Sequence, residues 1–258
     1  MNPDILLLPG LLCDAAVWEP VIPGLPAQRC RVVDYGAADS IEAMARAVLK
    51  DTPDSFTLIG HSMGGRVAME VCRYAPERVQ RLVLMDTGYT ARAPGDAGDS
   101  EREKRMALLS LAREQGMRAM GWTWLQGMVH PDRLEDAPLV ESILQMIERK
   151  TPEIFEAQIR ALLSRPDATP VLETLQCPTL LVCGREDAWS PVSQHEAMQV
   201  LAPQAQLSVI EQSGHMSTME QPESVATVIG SWLQDNKQGQ VQTGVGPDEK
   251  KPTSCRPE

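Results

Sequence analysis

The sequence lacks any excess of positive charge. Lys and Arg total 24 against 35 Asp and Glu, a formal net charge of −11 over 258 residues. Such a field repels nucleic-acid phosphates and anionic lipid headgroups, so neither a nucleic acid nor a membrane is expected as a partner. No apolar run approaches the ~20 residues that cross a bilayer. The six cysteines, Cys13, Cys30, Cys72, Cys177, Cys183 and Cys255, show no C-x-x-C spacing, and several sit in apolar runs where a free thiol behaves as a small hydrophobe. A reduced, cytoplasmic protein without disulfides or zinc is the expectation. The N-terminal stretch MNPDILLLPGLLC is apolar and ends in a cysteine. No Lys or Arg precedes it, Asp4 comes early, and Pro9-Gly10 interrupts it, so a buried strand and turn fit better than a secretion or lipoprotein signal.

With 43% hydrophobic residues, the chain is long and apolar enough for one large α/β domain carrying an inserted subdomain. Six short apolar runs read as strands: Asp4–Leu8, Cys30–Asp34, Phe56–Gly60, Arg81–Asp86, Thr179–Gly184 and Gln206–Glu211. Their hydrophobicity is nearly continuous, the pattern of a parallel sheet covered on both faces. Helical patterns alternate with them. Ile41, Met44, Ala45, Val48 and Leu49 form one stripe, with Asp39 and Glu42 as its capping box. Val225, Val228, Ile229, Trp232 and Leu233 form another behind a first-turn proline, Pro222. The expected fold is α/β, a doubly wound, mostly parallel sheet of about six strands.

The alternation stops between residues 89 and 169. EREKRMALLSLAREQ, PLVESILQMIERK and PEIFEAQIRALL are helical patterns with no strand among them. They predict a helical insertion between the fourth and fifth strands, entered through the Gly-, Ala- and Pro-rich segment Gly88–Gly98. The expected division is a core of residues 1–88 and 170–235, the insertion 89–169, and a disordered tail 236–258, which is polar and rich in Gly and Pro.

The stretch Gly60-His61-Ser62-Met63-Gly64 matches G-x-S-x-G, directly after a predicted strand and before a predicted helix. That context turns a serine through a sharp bend, with glycines where strand and helix approach. It lifts the hydroxyl over the C-terminal edge of the sheet, beside the N–H groups of a helix start. A serine is a weak nucleophile without a base. Of the four histidines, His61 adjoins the serine and reads as structural, His130 as a turn residue, and His195 as a solvated residue at a polar helix start. His215 follows the last strand in a Ser-Gly loop, where a base for Ser62 must sit. The acid that orients it is expected to be Asp187, in the turn after the fifth strand, with Asp86 at the end of the fourth as the competitor. The chain order is then Ser, Asp, His.

These loops, LLLPGLLCDAAVWEP, IGHSMGGRVAME, CPTLLVCGREDAWSP and SGHMSTMEQPESV, together resemble the α/β-hydrolase superfamily from residue 4 to about 234, and most resemble its small bacterial esterases and enol-lactonases. The resemblance implies that the insertion is a helical cap. It also implies cleavage of a small ester, thioester, lactone or amide through an acyl-enzyme, with no metal or organic cofactor and a small acyl molecule as the substrate. It assigns the oxyanion donors to the backbone N–H groups of Leu11 and Met63. The chain departs from the family in carrying Pro9-Gly10 where His-Gly is usual, and in starting almost on the first strand, without a leading hairpin. C–C bond hydrolysis or perhydrolysis by the same triad, and a receptor built on this scaffold, are the alternatives. Trp122, Trp124, Met128 and Met216 are candidate walls of an apolar acyl pocket. Trp122 and Trp124 lie two apart and cannot both face it on one helix.

Overall fold

In the computed structural model, which describes residues 4–25 and 30–242, the apolar runs form one sheet. Its strands are β1 (Asp4–Leu8), β2 (Cys30–Val32), β3 (Phe56–His61), β4 (Val79–Met85), β5 (Thr179–Gly184) and β6 (Gln206–Ile210). The order is β2-β1-β3-β4-β5-β6, and every pairing is parallel. Consecutive residues Ile5, Leu6, Leu7 and Leu8 are all fully buried. A strand covered on both faces needs apolar side chains at every position, which is why these runs do not alternate.

Helices cover the two faces: α1 (Ile41–Lys50), α2 (Met63–Tyr74), and, after β4, α3 (Asp96–Gln115), α4 (Met117–Leu125), α5 (Ala137–Glu148), α6 (Pro152–Leu163) and α7 (Thr169–Thr174). After β5 come α8 (Val192–Leu201), α9 (Ser217–Glu220) and α10 (Pro222–Gln242). Helices α3 to α6 make the cap between β4 and β5, and α7 packs back on α2 and α8. Among the described residues no helix is long and apolar enough to cross a membrane.

Two local expectations need correction. The cap of α1 is Ser40, not Asp39: its hydroxyl accepts the Ala43 N–H at 3.1 Å. Ser40 is the residue directly preceding the first helical position, and only there does a side-chain oxygen meet the free N–H groups of the first turn. The last helix also runs to Gln242, so residues 236–242, expected as disordered tail, are helical. Lys and Gln favour helix, and extending an existing helix adds one hydrogen bond per residue fixed. Residues 243–258, the rest of the expected tail, lie outside the described residues.

The strand order places the site. The chain runs outward from β1 to β2, then crosses back over β1 to β3 and continues to the other side. The loops after β1 and β3 therefore leave the sheet side by side at the point where the winding reverses, the crevice in which open α/β sheets hold ligands. Their contact is close. A methyl group at Gly64 would collide with the Leu8 carbonyl oxygen, and one at Gly60 would lie 2.5 Å from the Gly64 carbonyl oxygen. The expected outcome for Gly64→Ala is a loss of about 3 kcal/mol of stability from overpacking. Urea unfolding of the variant beside wild type measures it, and an unchanged midpoint would show that strand and helix have room to separate.

Candidate active site

Ser62 sits between β3 and α2 with φ 55° and ψ −117°, a left-handed backbone that a serine adopts only under constraint. Its N–H donates to the Met85 carbonyl at 2.8 Å, and the Thr87 hydroxyl donates to its carbonyl at 2.7 Å. Both ends of the peptide are thus tied to the end of β4. The hydroxyl points to the loop after β6, where His215 Nε2 lies 2.8 Å away. His215 Nδ1 lies 2.8 Å from Asp187 Oδ2. Asp187 is fixed from behind, since the Trp189 and Ser190 N–H groups donate to its Oδ1 at 2.8 and 2.9 Å. The structure brings together the three side chains expected from the sequence.

Asp86, the competing acid, points elsewhere. It accepts from the Gly184 N–H at 2.9 Å and from the Ser217 hydroxyl at 2.5 Å. Burial and the neighbouring Asp187 charge push its carboxyl well above the ordinary aspartate range. Burial also works against the charge on Asp187, but the His215 charge and hydrogen bond and the two backbone donors outweigh it and hold its pKa below the usual value. Asp187 is therefore the carboxylate that stays ionised, and it is the one that meets the ring. Burial pulls His215 down, yet the Asp187 charge and hydrogen bond exceed it and leave His215 above the ordinary histidine value.

The remaining histidines serve other ends. His61 is buried and its Nε2–H donates to the His215 carbonyl at 2.8 Å. Burial, then the His215 charge, lower its pKa to about 4, so it is a neutral strut. His130 is a turn residue whose ring accepts the Asp132 N–H. His195, expected to be solvated, is fully buried, with Nδ1 3.2 Å from the Pro191 carbonyl; helix α8 turns this face onto β5.

Leu11 and Met63 both line the cavity above Ser62. Met63 is the first residue of α2, where a helix leaves its N–H without an internal partner. The Leu11 loop abuts the serine closely: a methyl at Gly10 would come 3.1 Å from Ser62 Cβ. The next residue, Leu12, has φ 59°, and its N–H donates to Gln158 Oε1 of α6 at 2.9 Å. Gln158 was not singled out from sequence. Nor was Glu220, a buried carboxylate that accepts the N–H groups of His130 at 2.7 Å, Gly214 at 3.0 Å and Met216 at 3.1 Å. It grips the loop on either side of His215, whose own N–H donates to the Met128 carbonyl of the cap at 2.7 Å.

The cavity measures about 510 Å³. Its apolar wall includes Trp124, Met128 and Met216, as expected, with Met63, Leu108 and Leu162. Trp122 does not belong to it. That ring is 47% exposed, because two residues along α4 turn a side chain to the opposite face. Trp189 stacks on Trp124 at 5.4 Å and covers the His215 ring at 4.9 Å. Among the described residues, no three His, Cys, Asp or Glu side chains cluster as a metal site.

A family model described as "Alpha/beta hydrolase family" matches residues 5–228. The chain is 28% identical over 234 residues to a pimeloyl-[acyl-carrier protein] methyl ester esterase of Nitrosomonas europaea, covering 86% of this chain and 92% of that protein. It is 29% identical over 243 residues to the protein of the same name from Photobacterium profundum, with 89% and 94% covered. Among solved structures, a thermophilic esterase from Thermogutta terrifontis superposes with a TM-score of 0.76 at 29% identity, over 91% of this chain and 90% of that one. The enol-lactonase from Burkholderia xenovorans superposes with a TM-score of 0.77 at 21% identity, over 91% and 92%, a likeness of fold alone.

Replacing Glu220 by its amide tests the grip on the His215 loop. An amide cannot accept from three backbone donors, so Glu220→Gln is expected to cost about 1–3 kcal/mol and to lower turnover more than it raises KM. Thermal melting and steady-state kinetics measure both. Wild-type values for each would show that the loop holds itself.

Proposed function

This chain belongs to the alpha/beta hydrolase family, and on that premise we propose that it is a serine hydrolase cleaving a small carboxylic ester or lactone through Ser62, His215 and Asp187. The observation that carries this reading is the continuous line Ser62 Oγ, His215 Nε2, His215 Nδ1, Asp187 Oδ2, each contact 2.8 Å. The esterase names borne by its relatives support the same bond type.

Ser62 Oγ attacks the carbonyl carbon while His215 Nε2 takes its proton. The oxygen of the tetrahedral intermediate becomes an anion between the Leu11 and Met63 N–H groups. Each such donor is worth about 3 kcal/mol in the transition state. The intermediate collapses as His215 returns the proton to the departing alcohol, leaving an acyl-Ser62. A water then gives a proton to the same nitrogen and attacks the acyl carbon, and His215 passes that proton to Ser62 Oγ as the acid departs. Asp187 keeps the proton on Nδ1, so Nε2 is the free base, and its charge stabilises the imidazolium formed in each half. No step calls for a metal or organic cofactor. The five free cysteines among the described residues fit a reducing compartment, and we assign the protein to the cytoplasm.

Ser62→Ala is expected to abolish both ester turnover and labelling by a fluorophosphonate, with melting unchanged or raised by relief of the contact. Asp187→Asn should cost about 10⁴ in turnover, whereas Asp86→Asn should cost far less. Kinetics on a p-nitrophenyl ester measures all three, and an active Asp187→Asn beside a dead Asp86→Asn would reverse the assignment of the acid. His215 must be neutral to accept a proton, and its pKa is raised. The acid limb of kcat/KM is therefore expected above the ordinary histidine value, with activity lost as pH falls through it. A limb below that value would remove His215 as the base.

A further inference from the structure

The cavity is not apolar throughout. Beyond the acyl wall it meets Arg66, Glu101, Lys104, Arg105 and Arg165. Glu101 is shared between Arg105, at 2.9 Å, and Arg165, at 2.8 Å. Among the described residues no carboxylate lies within ion-pair distance of Arg66; its guanidinium donates to the Thr90 carbonyl at 2.9 Å. Four cations thus face one anion across this end of the cavity, in a chain whose formal net charge is −11. Other arginines of the molecule have a carboxylate beside them, as at Arg118 with Glu141 and Glu148, or Arg149 with Asp14. Arg66 does not. Burial and the charge of Arg165 push its pKa down to about 9, so the guanidinium stays charged at neutral pH in a place unfavourable to it. A half-buried guanidinium that lines a cavity with no carboxylate within ion-pair distance favours an anion, which it grips through two parallel N–H donors.

Ser62 and Arg66 line the same cavity, which bounds how far that anion sits from the reacting bond. Arg66 lies four residues after Ser62 on α2, about 6 Å along the axis at ~1.5 Å per residue. Resting on the hydrolase reading above, we propose that the substrate of Ser62 carries a second, free carboxylate a few carbons from the scissile ester, and that Arg66, assisted by Lys104 and Arg165, is the specificity-determining residue that holds it. The substrate class is then the half-ester of a short dicarboxylic acid. The ester carbonyl sits between Leu11 and Met63, the carbon spacer against the apolar wall, and the carboxylate at the basic end. Glu101 keeps Arg105 and Arg165 in place while leaving Arg66 available. A purely structural Arg66, serving only to tie Thr90 to α2, would not need three further basic side chains around the same space.

Monomethyl esters of succinic, glutaric, adipic and pimelic acids, each beside the neutral methyl ester of the matching acid amide, test this. Wild type should favour the charged member by about tenfold or more in kcat/KM, the range of a hydrogen bond to a charged group. The gain should lie chiefly in KM and shrink with added salt. Arg66→Gln should bring the charged-to-neutral ratio close to one, and Arg66→Lys should restore part of it; a structural role would lower both members equally and leave the ratio intact. Should Arg66→Gln fold poorly, wild type alone decides: glutarate should inhibit competitively and raise the melting temperature where glutaramide does neither. A ratio near one in wild type, or equal effects of glutarate and glutaramide, overturns the proposal. So does discrimination that follows a phosphate on the leaving alcohol instead of a carboxylate on the acyl chain. Fluorophosphonate labelling of Ser62 and turnover of p-nitrophenyl acetate run in parallel. Their presence with no charge preference sinks this inference alone, and their absence sinks the hydrolase reading beneath it.

Discussion

A parallel sheet ends all its strands on one edge, and the site depends on the chain turning there through backbone states that side chains avoid. Four described non-glycine residues have positive φ: Leu12, Ser62, Asp86 and Gln212. They follow β1, β3, β4 and β6 respectively. Each such state costs of order 1–3 kcal/mol and survives only where its surroundings over-determine it. The surroundings are visible. Ser62 is tied at both its N–H and its carbonyl to the end of β4, and glycines leave room for α2 on three sides: Gly60 against the strand that feeds it, Gly64 against Leu8 of β1, and Gly65 against Thr87 after β4. Leu12 is tied to Gln158, and Asp86 to Gly184 and Ser217. The bends turn the ends of these four strands into a rim where the site's side chains come together.

Charge is settled by the same rim. Two buried aspartates, Asp86 and Asp187, share one region with two buried histidines, His61 and His215. Two carboxylates this close do not both ionise cheaply, and the hydrogen bonds decide between them. Asp187 has two backbone donors and an imidazole; Asp86 has one backbone donor and a hydroxyl. The histidines divide in the same way. His215 faces the ionised acid and gains proton affinity, while His61 faces a carbonyl and loses it. One ionised carboxylate faces one imidazole of raised proton affinity, while Asp86 and His61 are held neutral.

Much of this was legible because it is local. Six apolar runs named six strands: β1, β3 and β5 are buried along their length and stay almost wholly apolar, and the edge strands β2 and β6 keep enough apolar residues to be seen. The serine loop was legible from its glycines, whose missing side chains leave room for backbone at 2.5 Å or closer. His215 and Asp187 were legible from their places just after strands. Where sequence reading failed, the deciding partner was distant. Gln158 is an ordinary polar residue in an amphipathic helix until it meets Leu12, 146 residues away. Glu220 looks like a solvated glutamate until it accepts three N–H groups, one of them 90 residues earlier. His195 looked solvated because its neighbours are polar, yet the face of α8 that meets the sheet is set by the sheet's twist and order, not by local composition. Trp122 and Trp124 were known to diverge, but only the packing of α4 on Phe155 and Trp189 chose which of them turned inward.

The cap is usually thought of as a cover, and here it also holds the working parts of the core. The Met128 carbonyl accepts the His215 N–H, the His130 N–H donates to Glu220, and Gln158 accepts the Leu12 N–H beside the expected oxyanion donor. These bonds join α6 and the segment between α4 and α5 to the loop after β1 and to the loop and short helix α9 after β6. A backbone group buried there without its partner would cost about 1–3 kcal/mol, so lifting the cap away leaves the histidine loop and the loop before Leu12 unsatisfied at once. The insertion is separate in chain connectivity alone. Energetically it is part of the site, and the same insertion that supplies the cavity's apolar wall fixes the imidazole that lies beside Ser62.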